Sequence, residues 1–586
     1  MRSFFKMFFA SCLGTVVGLF LLVLIGGFLL VGAVSALSAG DKQEVADKSV
    51  LSIQLGQNFT DQAQSNPLGS LTGDAESIPG IYDVVRLIRK AKTDDNIEGI
   101  YLDANGSGNS FASSDELRNA LIDFKKSKKF ILAHGDVISQ GAYFVASVAD
   151  KIYANASGAV DWSGYNMDVV FVKGTLDKLG IEPQIFYAGK FKSATETFRT
   201  TQMTEENKLQ TREWLGDLYQ YFLAKTGEAR RLDTATLHDL ANTGAIQTPQ
   251  DALNARLIDG LRFESDVKDE MKRKLGIEKH GKLNLVPITK YADAVAFKQS
   301  GSDRIALIYA EGNIVDGAGG SGAIGSREYV DMVRKARLDK SIKAIVLRIN
   351  SGGGSALASE NIWKELSLAK AEKPLVVSFG DVAASGGYYI AAPADSIFAS
   401  ANTITGSIGV FGIVPNMQGF FNNKLGITFD GVKTANYADA GAVYRPLNEA
   451  EKGFVQQGID RIYLQFKQRV AQGRKKDIAF IDSIAQGRVW SGEDALRLGL
   501  VDKIGGLEDA VLCAARMAKV KAYRLREYPE KGNWLNEFMG RKSDEPAAQI
   551  KAQLGEEGFR IFQQMSEVKQ MVNTPQTRLP FQFFIR

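Results

Sequence analysis

Apolar and polar positions follow two rhythms along this chain. Runs of strand length, rich in Ile, Val and Leu, occur at Val50–Ile53, Ile97–Asp103, Ile305–Ile308, Ile342–Ile349 and Pro374–Phe379. Between them the apolar residues recur every three to four positions, which predicts helices over Ile81–Lys92, Ser114–Lys126, Glu328–Ala336 and Ala356–Lys370. Strands that alternate with helices predict right-handed βαβ crossovers and an α/β fold.

The rhythm occurs twice. Ile97–Asn105 matches Ile342–Asn350 at an offset of 245, and the same offset pairs Gly135-Asp136-Val137 with Gly380-Asp381-Val382 and Tyr143 with Tyr388. Leu179-Gly180-Ile181 pairs with Leu425-Gly426-Ile427 at 246, and Val50–Ile53 pairs with Ile305–Ile308 at 255, so the first copy has the longer early loop. A period this long is a duplicated domain, not a solenoid unit. The expected organisation is a first copy over residues 46–295, a second over 300–540, a leading segment 1–45, and a tail 541–586 with a helical pattern from Ala547 to Val572.

The leading segment breaks the pattern. Arg2 and Lys6 precede an uncharged run from Met7 to Gly40, dense in Phe, Leu, Val and Gly. It exceeds the roughly 7–15 residues of a signal-peptide core and the roughly 20 of a spanning helix, so a retained transmembrane anchor is expected. Basic residues on its amino side place that end in the cytoplasm and the bulk of the chain outside. Composition adds little more. At 586 residues, 45% hydrophobic and 24% charged, the chain is a folded protein of more than one domain. A net charge of +4 gives no argument for nucleic acid. Its two cysteines, Cys12 in the anchor and Cys513 in a predicted helix, are not placed to pair.

Candidate chemistry centres on Gly380–Tyr389, where Ser385 stands among small residues between an apolar strand and a helix. Such a turn exposes a serine hydroxyl beside free backbone N–H groups, as a nucleophile and its oxyanion hole require. In the first copy the matching residue is Gln140. The glycine turn is also richer in the second copy, Asn350-Ser351-Gly352-Gly353-Gly354-Ser355 against Asn105-Gly106-Ser107-Gly108-Asn109-Ser110. A phosphate role is weak, because neither a P-loop nor a dinucleotide fingerprint is present.

Two kinds of base could activate Ser385. The three histidines, His134, His238 and His280, all lie outside the second copy, so a triad would borrow one across copies. His134 has the setting of a core residue; the other two stand in polar surroundings. A desolvated lysine is the alternative. Gly189-Lys190-Phe191-Lys192-Ser193-Ala194 offers one in the first copy, where the second has Tyr437 or Ala438. One copy then holds the serine without the lysine, and the other the lysine without the serine.

Taken together, Ala-Ala-Ser385-Gly-Gly-Tyr-Tyr, the glycine turn after Arg348-Ile349-Asn350-Ser351, Thr405-Gly406-Ser407-Ile408-Gly409 and the Lys192 segment resemble the signal peptide peptidase A (protease IV) family in its long tandem form. The resemblance covers nearly the whole chain. It implies two tandem Clp-protease/crotonase-like α/β domains, each a repeated βαβ superhelix. It implies a serine protease with Ser385 as nucleophile, Lys192 as general base, Ser407 orienting the lysine, and the N–H groups of Gly386 and Gly353 as the oxyanion hole. No metal or cofactor is implied. The implied substrates are apolar peptides, above all released signal peptides. The implied setting is the bacterial inner membrane with the body on the periplasmic side, as a homo-oligomer, a tetramer in the long form. Two departures are visible. Gly352 replaces the proline of the usual Ser-Pro-Gly-Gly turn, which leaves Gly353 and Gly354 to be told apart, and Thr197 replaces the proline of Glu-Pro-Phe. The rival readings are a crotonase-like acyl-thioester enzyme, which needs no serine nucleophile, and an inactive scaffold for membrane partners.

Overall fold

The computed structural model describes residues 45–65, 77–295, 297, 301–320, 322–530 and 574–579, together with a few helical positions between 13 and 25. Most of the expected anchor and all of the helical pattern at 547–572 lie outside the described residues. Among the described residues no helix is long and apolar enough to cross a membrane.

The first copy begins with β1 (Ser49–Gln54), α1 (Ile81–Lys92), β2 (Ile97–Asp103), α2 (Phe111–Lys125), β3 (Phe130–Ile138) and β4 (Lys151–Val160). These four strands pair in the order β4-β3-β2-β1, flanked by Gly260–Leu261 and Leu285–Pro287, and every pairing is parallel. Parallel strands are covered on both faces, which is why Leu51, Ile100 and Ile131 on one face and Val50 and Leu132 on the other are all fully buried. Beyond this sheet come β5 (Glu182–Ala188) and the long α3 (Glu205–Arg230).

The second copy repeats the plan with β6 (Arg304–Glu311), α4 (Ser326–Leu338), β7 (Ile342–Ser351), β8 (Gly353–Ser355), α5 (Ala356–Glu372), β9 (Leu375–Ala384), α6 (Gly386–Ala391), β10 (Ile404–Gly406), β11 (Val410–Asn416) and β12 (Val489–Ser491). Its sheet runs β12-β10-β9-β7-β6 and ends on Arg524–Tyr528; the β10–β12 pair alone along this path is antiparallel.

A third sheet joins the copies. Its order is Ala323–Gly325, Asn313–Val315, β8, then β13 (Gln576–Arg578), β11 and β5. β5 of the first copy pairs antiparallel with β11 of the second over seven positions, from Ala188–Val410 to Glu182–Asn416. β13 belongs to the tail, where the sequence pattern predicts only helix. Its three residues fill the place between β8 and β11.

Candidate active site

The serine turn is shaped by neighbours on both sides. β9 runs five residues beyond the predicted apolar stretch, because Val382, Ala383 and Ala384 continue the ladder onto Ile404, Thr405 and Gly406 of β10. Thr405 reinforces the pair by donating its hydroxyl to Ala383 O at 2.6 Å. Ser385 then turns the chain with φ +54°, a left-handed value that few non-glycine residues adopt. It is held there by its own N–H on Gly406 O and by Tyr389 N–H on its carbonyl, both at 2.8 Å. Gly386 opens α6, where the first N–H groups have no acceptor within the helix.

The glycine turn meets this point from the other side. A Cβ on Gly353 would stand 2.6 Å from Gly386 N, and its φ of +98° suits glycine alone. Gly354 instead abuts Ile314 O. Of the two, Gly353 is therefore the glycine that approaches Gly386. Its N–H donates to Ser351 Oγ at 3.1 Å. At Gly352 a Cβ would meet only Leu579 at 3.5 Å and beyond, so the position has room for a larger residue.

Lys192 arrives from the first copy. β5, paired on β11, ends at Ala188, and the chain turns at Gly189 (φ +102°) to put Lys192 at the start of a 3₁₀ turn, Ser193–Thr195. Phe191 N–H donates to Gln486 O at 2.8 Å. Gln210 of α3 ties the loop across the copies: its Nε2 donates to Phe191 O at 3.1 Å, and its Oε1 accepts from Val489 N–H of β12 at 3.2 Å. The lysine stem runs between two glycines of the second copy. A Cβ on Gly409 would stand 3.1 Å from Lys192 Cδ, and one on Gly487 2.7 Å from Lys192 Cβ.

The outcome is a compact contact. Lys192 Nζ lies 2.9 Å from Ser385 Oγ, 3.0 Å from Ser407 Oγ and 3.2 Å from Ser407 O. Lys192 is 1% exposed, and Ser385 and Ser407 are fully buried. Ser407 also has a positive φ, +49°, and is fixed by its N–H on Arg488 O at 2.6 Å. Glu196, the acid nearest Lys192 in sequence, points elsewhere, accepting from Thr204 Oγ1 at 2.6 Å and Asn207 Nδ2 at 2.9 Å. With burial and no carboxylate to offset it, the Lys192 ammonium is held well below its ordinary pKa. A lysine whose neutral form is favoured by burial, touching a serine hydroxyl, can take the serine proton.

The histidines are engaged elsewhere. His134 is buried in β3, with Nε2 3.0 Å from Arg262 O. His238 and His280 are exposed. Gln210 and Gly487 support the lysine segment and were not singled out from the sequence; Gly409 stands in the Thr405–Gly409 motif, but with no role given to it there. The only signal available was the pair of glycines itself, which gains meaning when a side chain from the other copy is placed between them.

β13 lies directly over the site. Thr577 O would be 2.0 Å from a Cβ on Gly353, Leu579 N–H donates to Gly352 O at 2.7 Å, and Ala356 N–H donates to Pro575 O at 3.1 Å. The Leu579 side chain packs with Trp214 and Leu218 of the first copy and Ala384, Ile404 and Val489 of the second. An extended peptide segment, with an apolar side chain in an apolar niche, thus lies against the serine turn.

The model of "Peptidase family S49" matches this chain twice, over residues 123–278 and 367–521. The chain belongs to peptidase family S49. "Protease 4" of Salmonella typhi is 35% identical over 553 residues, covering 91% of this chain and 88% of its own. "Serine protease SPPA, chloroplastic" of Arabidopsis thaliana is 31% identical over 486 residues, covering 82% of this chain and 70% of its own. "Putative signal peptide peptidase SppA" of Enterococcus faecium is 34% identical over 227 residues, covering 37% of this chain and 66% of its own. Membership of the family, with these relatives over most of the chain, makes this protein a serine protease with two tandem S49 domains.

Proposed function

We propose that this protein is a membrane-anchored endopeptidase that degrades released signal peptides and similar apolar peptides with a Ser385/Lys192 dyad split between its two copies. The observation that carries the reading is the 2.9 Å contact between a buried Lys192 Nζ and Ser385 Oγ. Neutral Lys192 takes the Ser385 hydroxyl proton as Oγ bonds to the peptide carbonyl carbon. The carbonyl oxygen becomes an oxyanion held by Gly386 N–H and by Gly353 N–H, which gives up Ser351 Oγ for it. Lys192 then passes the proton to the leaving amine as the C–N bond breaks. Water attacks the acyl-enzyme with Lys192 again as base, and Ser385 recovers its proton. Ser407 orients the lysine through its hydroxyl and carbonyl.

The substrate class is supported by the strand slot between β8 and β11 and by the apolar niche that holds Leu579. The printed name of the Enterococcus relative points the same way. A substrate strand takes the place of β13, pairing with the glycine turn through its main chain. The uncharged run from Met7 to Gly40 supports a single anchor in the bacterial inner membrane, with the body on the periplasmic side. A homo-oligomer, tetrameric by family resemblance and built of Clp/crotonase-like superhelical domains, is supported by the segment following β11. There Leu425, Ile427, Phe429, Val432 and Tyr437 are all exposed.

The test is hydrolysis of a synthetic signal peptide by the full chain in detergent. Wild type should cleave it, and Ser385→Ala and Lys192→Ala should both be inactive. Full activity in either variant would sink the dyad.

A further inference from the structure

Among the described residues, the most deeply buried arginine has no part in the proposed reaction. Arg348 is 0% exposed on β7, five residues before Gly353. Its Nε donates to Asp61 Oδ1 at 2.8 Å, and its Nη2 lies 2.7 Å from Glu116 Oε1. Both carboxylates come from the first copy: Asp61 from the loop after β1, Glu116 from α2. Its Nη1 donates to Ser378 Oγ at 2.9 Å and to Phe379 O at 2.8 Å, both on β9. One guanidinium therefore binds the strand that leads to the glycine turn, the strand that leads to Ser385, and two elements of the half that supplies Lys192.

A second contact crosses the same joint in the opposite sense. Asp381 of β9 accepts from the N–H groups of Ala112 and Ser113 at 2.9 and 3.0 Å, and from Ser113 Oγ at 2.8 Å. It caps α2, whose own N-cap residue, Ser110, makes no side-chain cap bond. The first copy builds no such joint from the matching positions. Asp103 stands where Arg348 does and bonds only its near neighbour Asn105, and Asp136, the partner of Asp381, accepts from Asn155 at the surface.

Burying such a charge cluster brings little net stability, since apolar side chains fill comparable space as well or better. What a buried guanidinium that donates to Asp61, Ser378 and Phe379 and is ion-paired with Glu116 does supply is a fixed geometry among the groups it touches. We propose that Arg348, clasped by Asp61 and Glu116, is a positioning residue for catalysis, which sets the glycine turn and Ser385 at working distance from the lysine of the other half. This rests on the site assignment above. A displacement of about 1 Å at a reacting centre costs on the order of 100-fold in rate.

The experiment compares full-length Arg348→Lys, which keeps the charge and loses the fork, and Glu116→Gln, which keeps a hydrogen-bond acceptor and loses the charge, with wild type and Ser385→Ala. Steady-state cleavage of an apolar fluorogenic peptide is read beside thermal unfolding. The expected result for Arg348→Lys is a kcat lowered about 10- to 100-fold with KM within about twofold. Glu116→Gln should fall less than Glu116→Ala, a rescue by the conservative change. If Arg348→Lys does not fold, Glu116→Gln and Glu116→Ala decide the matter alone. A kcat within twofold of wild type, with only the unfolding temperature lowered, overturns the proposal and leaves a structural joint. Activity surviving in Ser385→Ala would overturn the site assignment and this proposal with it, whereas an inert Ser385→Ala beside an unmoved Arg348→Lys overturns this proposal alone.

Discussion

The two copies solve the same turn in opposite ways. At Ser385 the first residue of the turn leaves the helical conformation, takes a positive φ and presents a hydroxyl to a side chain from elsewhere. At Gln140 the matching residue lies inside the helix, which Ser139 caps in the ordinary way through its hydroxyl on Ala142 N–H. The Gln140 amide turns inward, donating to Gly164 O at 2.8 Å and accepting from Gly164 N–H at 2.9 Å. Gly164 corresponds to Gly409, the glycine that makes room for the Lys192 stem. So the space that one copy leaves open for a base from its neighbour, the other closes with its own side chain. A catalytic serine needs more than a serine in the turn. The proposed dyad also needs a vacant lane beside the turn and a lysine sent down it from the other copy.

Substitutions can break this contrast. Ser385→Ala should have the largest effect, a loss in kcat of about 10⁴- to 10⁶-fold in peptide cleavage. Lys192→Met should lose about 10²- to 10⁴-fold and also unfold at a higher temperature than wild type. The sign follows from linkage. Burial lowers the folded-state pKa of Lys192, so the unfolded chain binds more protons, and stability is lost as pH falls below the ordinary lysine value. Methionine removes that loss, and a Lys192→Met variant less stable than wild type would argue against a desolvated lysine. Closing the lane is the next step. Gly487→Ala puts a methyl 2.7 Å from Lys192 Cβ at a backbone φ of +73°, and should lower kcat about 100-fold without moving KM much. Ser407→Ala leaves its carbonyl contact with the lysine in place and should cost about tenfold in kcat.

The pH profile sharpens the comparison further. Activity should rise with pH as Lys192 sheds its proton, at a pH well below the value of about 10.4 for an exposed lysine. A midpoint at that exposed value would mean that the lane is wet. The smallest expected effect is none at all. Gln140→Ser should create no second site labelled by a fluorophosphonate, because the second copy's counterpart of Lys192, Tyr437, is exposed rather than docked. Labelling at residue 140 would show that the first copy retains more of the machinery than its geometry indicates.

Much of this was legible in the sequence, and what was not has physical causes. The strands Ile97–Asp103 and Ile342–Ser351 and the helix Ile81–Lys92 lie within two residues of where hydrophobic period puts them, because each is closed by local signals. The helix expected from Ser114 begins at Phe111, because its cap, Asp381, comes from 268 residues away. β9 outruns its apolar run, because pairing with β10 overrides the polar Gly380-Asp381 step. β13 was hidden in a segment with no strand pattern, since its ladder partners, Gly353 to Ser355 and Phe411, are remote in sequence. At the site, residue types and their uneven split between the copies were readable. The antiparallel β5–β11 pairing that carries Lys192 across was not, because both strands look unremarkable on their own.

The distance between the reacting groups along the chain also sets an order in time. Lys192 and Ser385 are separated by 193 residues, and β13 follows the serine by nearly as many again. Synthesis runs from the amino end, so the lysine-bearing half emerges first and can fold its own parallel sheet with nothing to attack. The serine, the glycine turn and β11 come later, and the dyad closes only once β5 has a partner strand. The last described stretch to be made is the one that lies across the finished cleft. A chain that has yet to release β11 therefore has no closed Lys192–Ser385 contact, and the strand that covers that contact is made after it.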